Sequence, residues 1–148
     1  MLAKNFIAIL AAAAGLATAI PAGSLTEREP ASPVFPALAK RTTHSGRGTV
    51  YLQEGGTGSC GETNPDSSVI AAISNFWMDN ESPGPFCGRK IKATNTGSND
   101  GVGGAGNTVI VTVEDTCPSC GEGDVDFSVG AWDQLTNSAA YGTFDVTW

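Results

Sequence analysis

Thr108-Val109-Ile110-Val111-Thr112-Val113 is an unbroken run of β-branched residues. Such side chains are stiff at χ1 and pack better on a pleated surface than along a helix. The run predicts a strand packed on both faces or closed into a barrel. Residues 49–52, 69–73, 90–93 and 143–148 are further β-prone runs, each short and set off by Gly, Pro, Asn or Ser clusters. Helical character is clearest over 128–135, where Ser128 is placed to cap the start and Trp132 and Leu135 share one side. Together these predict a mainly β, closed barrel with one or two short helices. Two connections stand out. Residues 75–85 carry Phe76, Trp77 and Met78 before Pro83 and Pro85, and read as a surface loop with aromatics attached. Residues 95–107 are Gly-rich and polar, and read as a long mobile hairpin connection.

The amino-terminal part has a different character. Residues 1–19 combine Lys4, an Ala-rich apolar stretch and Ala17-Thr18-Ala19, the pattern of a secretory signal peptide, too short for a membrane span. Residues 20–41 contain Pro21, Pro30, Pro33 and Pro36 and end on Lys40-Arg41, so they read as a pro-segment cleaved at the dibasic pair or as a disordered linker. Residues 42–148 are enough for one domain and too few for two. The expectation is an exported monomer that holds any ligand on a single surface. In that segment four basic side chains (Arg47, Arg89, Lys90, Lys92) face thirteen acidic ones. A field of that sign repels nucleic acid, anionic membranes and polyanionic polymers, while neutral polymers or a basic protein surface remain compatible.

Four cysteines behind an export signal read as two disulfides before they read as a metal site. Cys117 and Cys120 are close enough to pair locally. Their Cys-Pro-Ser-Cys spacing also fits a redox dithiol, but that chemistry wants a helix amino terminus, whereas Glu114, Asp115 and Glu122 surround this loop. Gly101 to Gly106 satisfies Gly-x-Gly-x-x-Gly, yet a strand follows it where a phosphate site needs a helix. His44, the only histidine, falls in an amino-terminal stretch that reads as loose, so no triad base is available. No motif calls for a metal or a cofactor. Asn80-Glu81-Ser82 is an N-glycosylation pattern followed by Pro83.

The chemistry-bearing stretch is near the carboxyl end. Val113-Glu114-Asp115 leads into Cys117-Pro118-Ser119-Cys120, and Asp124-Val125-Asp126-Phe127-Ser128 precedes the helix, so Asp115 and Asp126 stand eleven residues apart. Upstream are Gly48-Thr49-Val50-Tyr51, Gly58-Ser59-Cys60-Gly61 and Phe86-Cys87-Gly88-Arg89-Lys90-Ile91, and Gly142 to Trp148 closes the chain. In this order the blocks resemble the six-stranded double-psi β-barrel shared by expansins, loosenins, barwin-like and rare-lipoprotein-A-like proteins. The resemblance covers about residues 46–148.

Several expectations follow from it. Cys60 pairs with Cys87. Asp126 corresponds to the general acid of barrel-fold endoglucanases, Asp115 is its partner, and Thr49 contacts sugar in the groove. Beside Val125, Phe127 and a second carboxylate, Asp126 is expected to hold its proton more tightly than usual. As bland alternatives, Asp115 caps the Cys-Pro loop and Asp126 caps the helix. The related endoglucanases carry a base at the end of the first strand, where Leu52 stands, and leucine cannot accept a proton. Glu54 and Asp66 are near in sequence without a context that makes them substitutes. The function implied is non-hydrolytic loosening of neutral cell-wall polysaccharide, a β-glucan or chitin-like polymer. Where bacterial expansins often place an aromatic residue two positions after the first acid, this chain has Cys117, and Tyr51, Trp77, Phe86 and Tyr141 are candidate replacement platforms. A protease inhibitor or host-surface protein on the same barrel is the alternative, and a glycoside hydrolase or transglycosylase the second.

Overall fold

The computed structural model describes residues 41–148. The signal peptide and all of the Pro-rich segment except Arg41 lie outside the described residues. The β-branched run forms the body of β4 (Thr108–Cys117). Val109, Val111 and Val113 point inward, whereas Ile110 between them is 61% exposed. The strand therefore alternates, and of the two alternatives closure into a barrel is the one found: β-branching here serves a barrel wall with a single packed side.

Five more strands close the barrel. They are β1 (Ser45–Tyr51), β2 (Ile70–Ser74), β3 (Lys90–Gly97), β5 (Val125–Ser128) and β6 (Phe144–Thr147), joined laterally in the order β1-β5-β2-β4-β3-β6. The β1–β5 and β2–β4 pairs are parallel and the other four antiparallel. Two short helices, α1 (Asn75–Met78) and α2 (Val129–Thr136), complete the expected architecture. β5 was absent from the sequence-based set of strands. Only Val125 and Phe127 point inward from it, too few to display a period of two, but their complete burial shows why it belongs in the wall.

Trp132 and Leu135 of α2 are fully buried among Ile73, Val111, Phe127 and Phe144, and the Phe127 and Phe144 rings stack at 5.8 Å. Ser128 caps α2 as predicted and does more. Its Oγ accepts from the N–H groups of Ala131 (3.4 Å) and Ile70 (3.1 Å), and it donates to the Ser68 carbonyl. Ser128→Ala is expected to lower stability by about 1–2 kcal/mol, read as the urea midpoint, since a cap and a buried strand contact disappear together.

The 95–107 connection is pinned, which corrects its reading as mobile. β3 extends to Gly97, and buried Asn95 donates to the carbonyls of Gly103 (2.9 Å) and Leu135 (3.0 Å) and accepts from Gly97 N–H (2.9 Å). Gly104 has φ +86°, and an added Cβ there would collide with the Leu135 carbonyl. The glycines thus let a turn lie against the end of α2.

His44 is also tied down, against the reading of a loose stretch. It exchanges backbone hydrogen bonds with Trp148 (2.7 and 3.0 Å), and its ring packs on Trp77 and Trp148 at 4.7 and 4.6 Å. The 75–85 segment opens with the single turn of α1, capped by Ser74 Oγ on Phe76 N–H at 3.3 Å.

Candidate functional site

Register brings the two acids together. Thr49 on β1 pairs with Asp126 on β5, Asp126 pairs with Ala72 on β2, and Ala72 pairs with Asp115 on β4. Residues paired across neighbouring strands share a face. Thr49, Asp126, Ala72 and Asp115 thus form one row on the outer side of the wall. The next row, Val50, Phe127, Ala71 and Val113, faces the core. A bulge sets the alignment: between Ala71 and Ala72 the β2–β4 register skips Glu114, so that Asp115 and not Glu114 stands opposite Ala72. Ala72, between the acids, is itself buried at 3% exposure. Two strand spacings put the acids roughly 10 Å apart.

The two carboxyl groups have different surroundings. Thr49 Oγ1 donates to Asp126 Oδ1 at 2.6 Å. Partial burial pushes the Asp126 carboxyl above the usual carboxylate range, against the opposing pull of that hydrogen bond. This is the expected direction by a different route. Val125 and Phe127 face the core, away from the row, and no second carboxylate contributes to the rise. With Oδ1 occupied, Oδ2 is the natural site for a retained proton. Asp115 Oδ1 accepts from the N–H groups of Ser59 (2.7 Å) and Thr116 (2.8 Å), so Oδ2 is its open acceptor. The site therefore presents one potential donor and one acceptor on a single face.

Neighbouring loops hold the acids in place. Gly58 lets the 57–62 hairpin approach, since a Cβ there would lie 2.5 Å from the Glu114 carbonyl and 3.3 Å from the Asp115 carboxyl carbon. Cys60 joins Cys87, as the resemblance implied, and Cys117 joins Cys120. On the other side, Trp77 Nε1 donates to the Glu122 carbonyl (2.7 Å) and Trp148 Nε1 to that of Gly123 (2.8 Å), fixing the loop that leads into β5. The N–H groups of Arg47 (2.8 Å) and Gly121 (3.0 Å) also bind Asp124 and, against burial, hold it below the usual carboxylate range.

The predicted aromatic platforms are dispersed. Tyr51, Leu52, Thr57 and Asp115 line a hollow of about 110 Å³ at the end of β1. Burial, together with the charges of Asp115, Asp126 and Glu114, pushes the Tyr51 phenol up to about 12, so it keeps its proton. Trp77 and Phe86 belong to a cluster with His44 and Trp148, at the opposite end of β1 from Tyr51. Tyr141 lies edge-on to Trp132, off the row. Leu52 is 51% exposed beside the hollow. Asp66 is engaged in holding the Gln53–Glu54 turn through their N–H groups, at 2.6 and 3.3 Å. A larger hollow of about 190 Å³ lies beside Arg47, Asp100 and Asp145, but Thr143, Asp100 and Ser98 there already bond to one another. Among the described residues, no group of three or more His, Cys, Asp or Glu converges as a metal site. Ala72, Ser59 and the bulge carried no signal in the sequence, because their importance arises from cross-strand pairing.

A closed six-stranded barrel with an open, carboxylate-bearing wall defines the class: an expansin-like double-psi β-barrel. Residues 41–148 match the model of EXPB1-like domain 1, and the chain belongs to that family. It is similar to the expansin of Clavibacter michiganensis, at 25% identity and a TM-score of 0.54, over 72% of this chain and 48% of that one. It is similar as well to the Streptomyces papain inhibitor, at 27% identity and a TM-score of 0.56, over 72% of this chain and 92% of the inhibitor. A mutant of the Clavibacter expansin in complex with cellohexaose matches at 22% identity and a TM-score of 0.50, over 72% of this chain and 48% of that one. The chain spans about half the length of that expansin. No curated protein matches it in sequence.

Proposed function

We propose that this protein is exported, binds neutral β-linked cell-wall polysaccharide across the Thr49–Asp126–Ala72–Asp115 row, and loosens it without hydrolysis. The observation that carries the reading is the register that sets Asp126 and Asp115 on one open face, either side of Ala72. A polysaccharide chain offers hydroxyls that donate and ring or bridging oxygens that accept, and the row supplies a partner for each. Inter-chain hydrogen bonds are individually worth only about 1 kcal/mol net, so a surface that substitutes for them lets polymer chains slip. The complex of the Clavibacter expansin with cellohexaose supports this class of ligand. Leu52 at the end of β1 supports the absence of hydrolysis, because a leucine cannot activate water. The two disulfides fit an oxidising, extracellular setting, and the acidic surface fits a neutral polymer.

A second reading is favoured by one observation: the papain inhibitor is matched over nearly its whole length, the Clavibacter expansin over half. On that reading the same surface meets a protease. Pull-down on cellulose, chitin and mixed β-glucan, run beside a papain inhibition assay, separates the two. Retention on at least one polymer with no release of soluble sugar is the expected result. Inhibition of papain without retention on any polymer replaces the first reading with the second.

A further inference from the structure

We infer that Gln53 is a positioning residue that turns the Tyr51 hydroxyl into a hydrogen-bond donor aimed at an acceptor oxygen of the ligand beside Asp115. The inference rests on the polysaccharide reading above and adds a residue to it. Gln53 follows the end of β1 and is buried, at 9% exposure. A buried amide after a strand end needs a reason, because each unpaired polar atom costs stability. Every polar group of Gln53 that faces inward has a partner. Its Oε1 accepts from Asn64 N–H at 3.2 Å and its Nε2 donates to Tyr51 Oη at 3.1 Å, while its backbone N–H is held by Asp66 at 2.6 Å.

The Asn64 N–H settles the orientation of the amide, since only the oxygen can accept from it. The Nε2 must then face the phenol. A phenolic oxygen that accepts a hydrogen bond directs its own proton elsewhere. Nothing in the protein accepts that proton among the described hydrogen bonds. Tyr51 and Gln53 both line the hollow shared with Leu52, Thr57 and Asp115. The available direction is therefore out of the wall, toward whatever occupies the hollow. Tyr51 thus works as an oriented donor. Flat stacking of a sugar on its ring, the role first expected of it, is not needed.

The geometry implies a division of labour on the face. Asp115 offers an acceptor to a sugar hydroxyl, and Tyr51 offers a donor to a ring or bridging oxygen a short distance away. Two oppositely directed bonds fix which way round a sugar residue sits, a matter of specificity more than strength.

Two measurements test this, one of them independent of any ligand. In a Tyr141→Phe background Tyr51 is the only tyrosine. The tyrosine doublet in its Raman spectrum then reports whether the phenol oxygen accepts a hydrogen bond. The acceptor signature is expected, and Gln53→Leu should abolish it; a doublet unchanged by Gln53→Leu overturns the geometry. The second measurement is a double-mutant cycle on binding to whichever insoluble polymer retains the wild type. Gln53→Leu and Tyr51→Phe are each expected to weaken retention roughly fivefold, and the pair together by no more than either alone. Additive losses overturn the positioning role, because Gln53 then acts apart from the hydroxyl. Retention on no polymer, with the Raman change intact, removes the ligand role and locates the failure in the polysaccharide reading. Gln53→Glu guards against a simple folding defect: it keeps the shape but turns a donor into an acceptor for the phenol proton, and at neutral pH it should weaken retention at least as much as Gln53→Leu.

Discussion

Asp126→Ala is expected to weaken retention on polysaccharide by roughly tenfold or more, while Asp126→Asn retains most of the binding and loses its dependence on pH. The two variants separate what the carboxyl does from what it is. Thr49 occupies Oδ1, and partial burial raises the carboxyl above the usual carboxylate range. In acidic conditions the working group on Oδ2 is therefore a neutral O–H donor, lost as pH rises through the raised value. Alanine removes the donor and leaves the ligand oxygen without a partner, a loss of about 1–3 kcal/mol. Asparagine replaces the O–H with an N–H in the same place and keeps an oxygen for Thr49. A general acid could not survive that exchange, because an amide has no proton to deliver to a leaving group. Binding that persists in Asp126→Asn therefore speaks for a hydrogen-bond donor at this position, and binding lost equally in both variants speaks against the donor assignment.

The same carboxyl predicts a stability signature. Its folded-state pKa is raised above the ordinary aspartate value, with burial as the leading cause. A group raised in the folded state contributes its stability fully below the unfolded pKa and loses it as pH rises through the folded value. Wild type should therefore be less stable than Asp126→Asn at pH 7, and the gap should close toward pH 4 and below. Urea unfolding of the two proteins across that range checks it. A wild type that is the more stable at pH 7 would make Asp126 a structural partner of Thr49 in place of a ligand-binding group.

Much of this was legible because it is local. The β-branched run, the Ser128 cap and the buried Trp132 and Leu135 each declare themselves within a few residues. What escaped depends on partners far along the chain. β5 has four residues and two inward side chains, so its strand character comes from β1 and β2 on either side. Ala72 is an unremarkable alanine until β4 and β5 place an acid on each side of it. The bulge that selects Asp115 over Glu114 is a property of pairing, and nothing in Val113-Glu114-Asp115 marks it. Gln53 reads as a polar residue after a strand, and only the fold reveals that Asn64 and Tyr51 meet on its amide. Conversely, Trp77 looked suited to stacking sugar because an indole in a surface loop usually has a free face. Here the rings of His44, Phe86 and Trp148 pack around it and its N–H holds the Glu122 carbonyl.

Replacing Cys60 and Cys87 together by serine should lower stability by about 3–4 kcal/mol, on the loop-entropy view of a cross-link spanning 27 residues. In a domain of this size that is a fall in Tm of roughly 15 °C. The Cys117–Cys120 bridge spans only three residues, so its removal should cost about half as much. The longer bridge also reaches the proposed binding face. Cys87 lies in a segment clamped to β4 by Gly88 N–H on the Val113 carbonyl (2.8 Å), and Cys60 follows Ser59, whose N–H orients Asp115 (2.7 Å). Without the link, the 57–62 hairpin is held mainly by Cys60 N–H on Glu114 O at 3.3 Å and Ser59 Oγ on Thr116 Oγ1 at 2.7 Å. Asp115 should then lose part of its orientation even where the barrel stays folded. Polysaccharide retention measured well below the midpoint should accordingly drop for Cys60→Ser/Cys87→Ser and hold for Cys117→Ser/Cys120→Ser, although both pairs lie near Asp115 in space or sequence. Equal stability losses would show that chain entropy is not what the longer bridge controls. Undiminished retention in the first pair would mean that Asp115 keeps its position through Thr116 N–H and the β4 backbone alone.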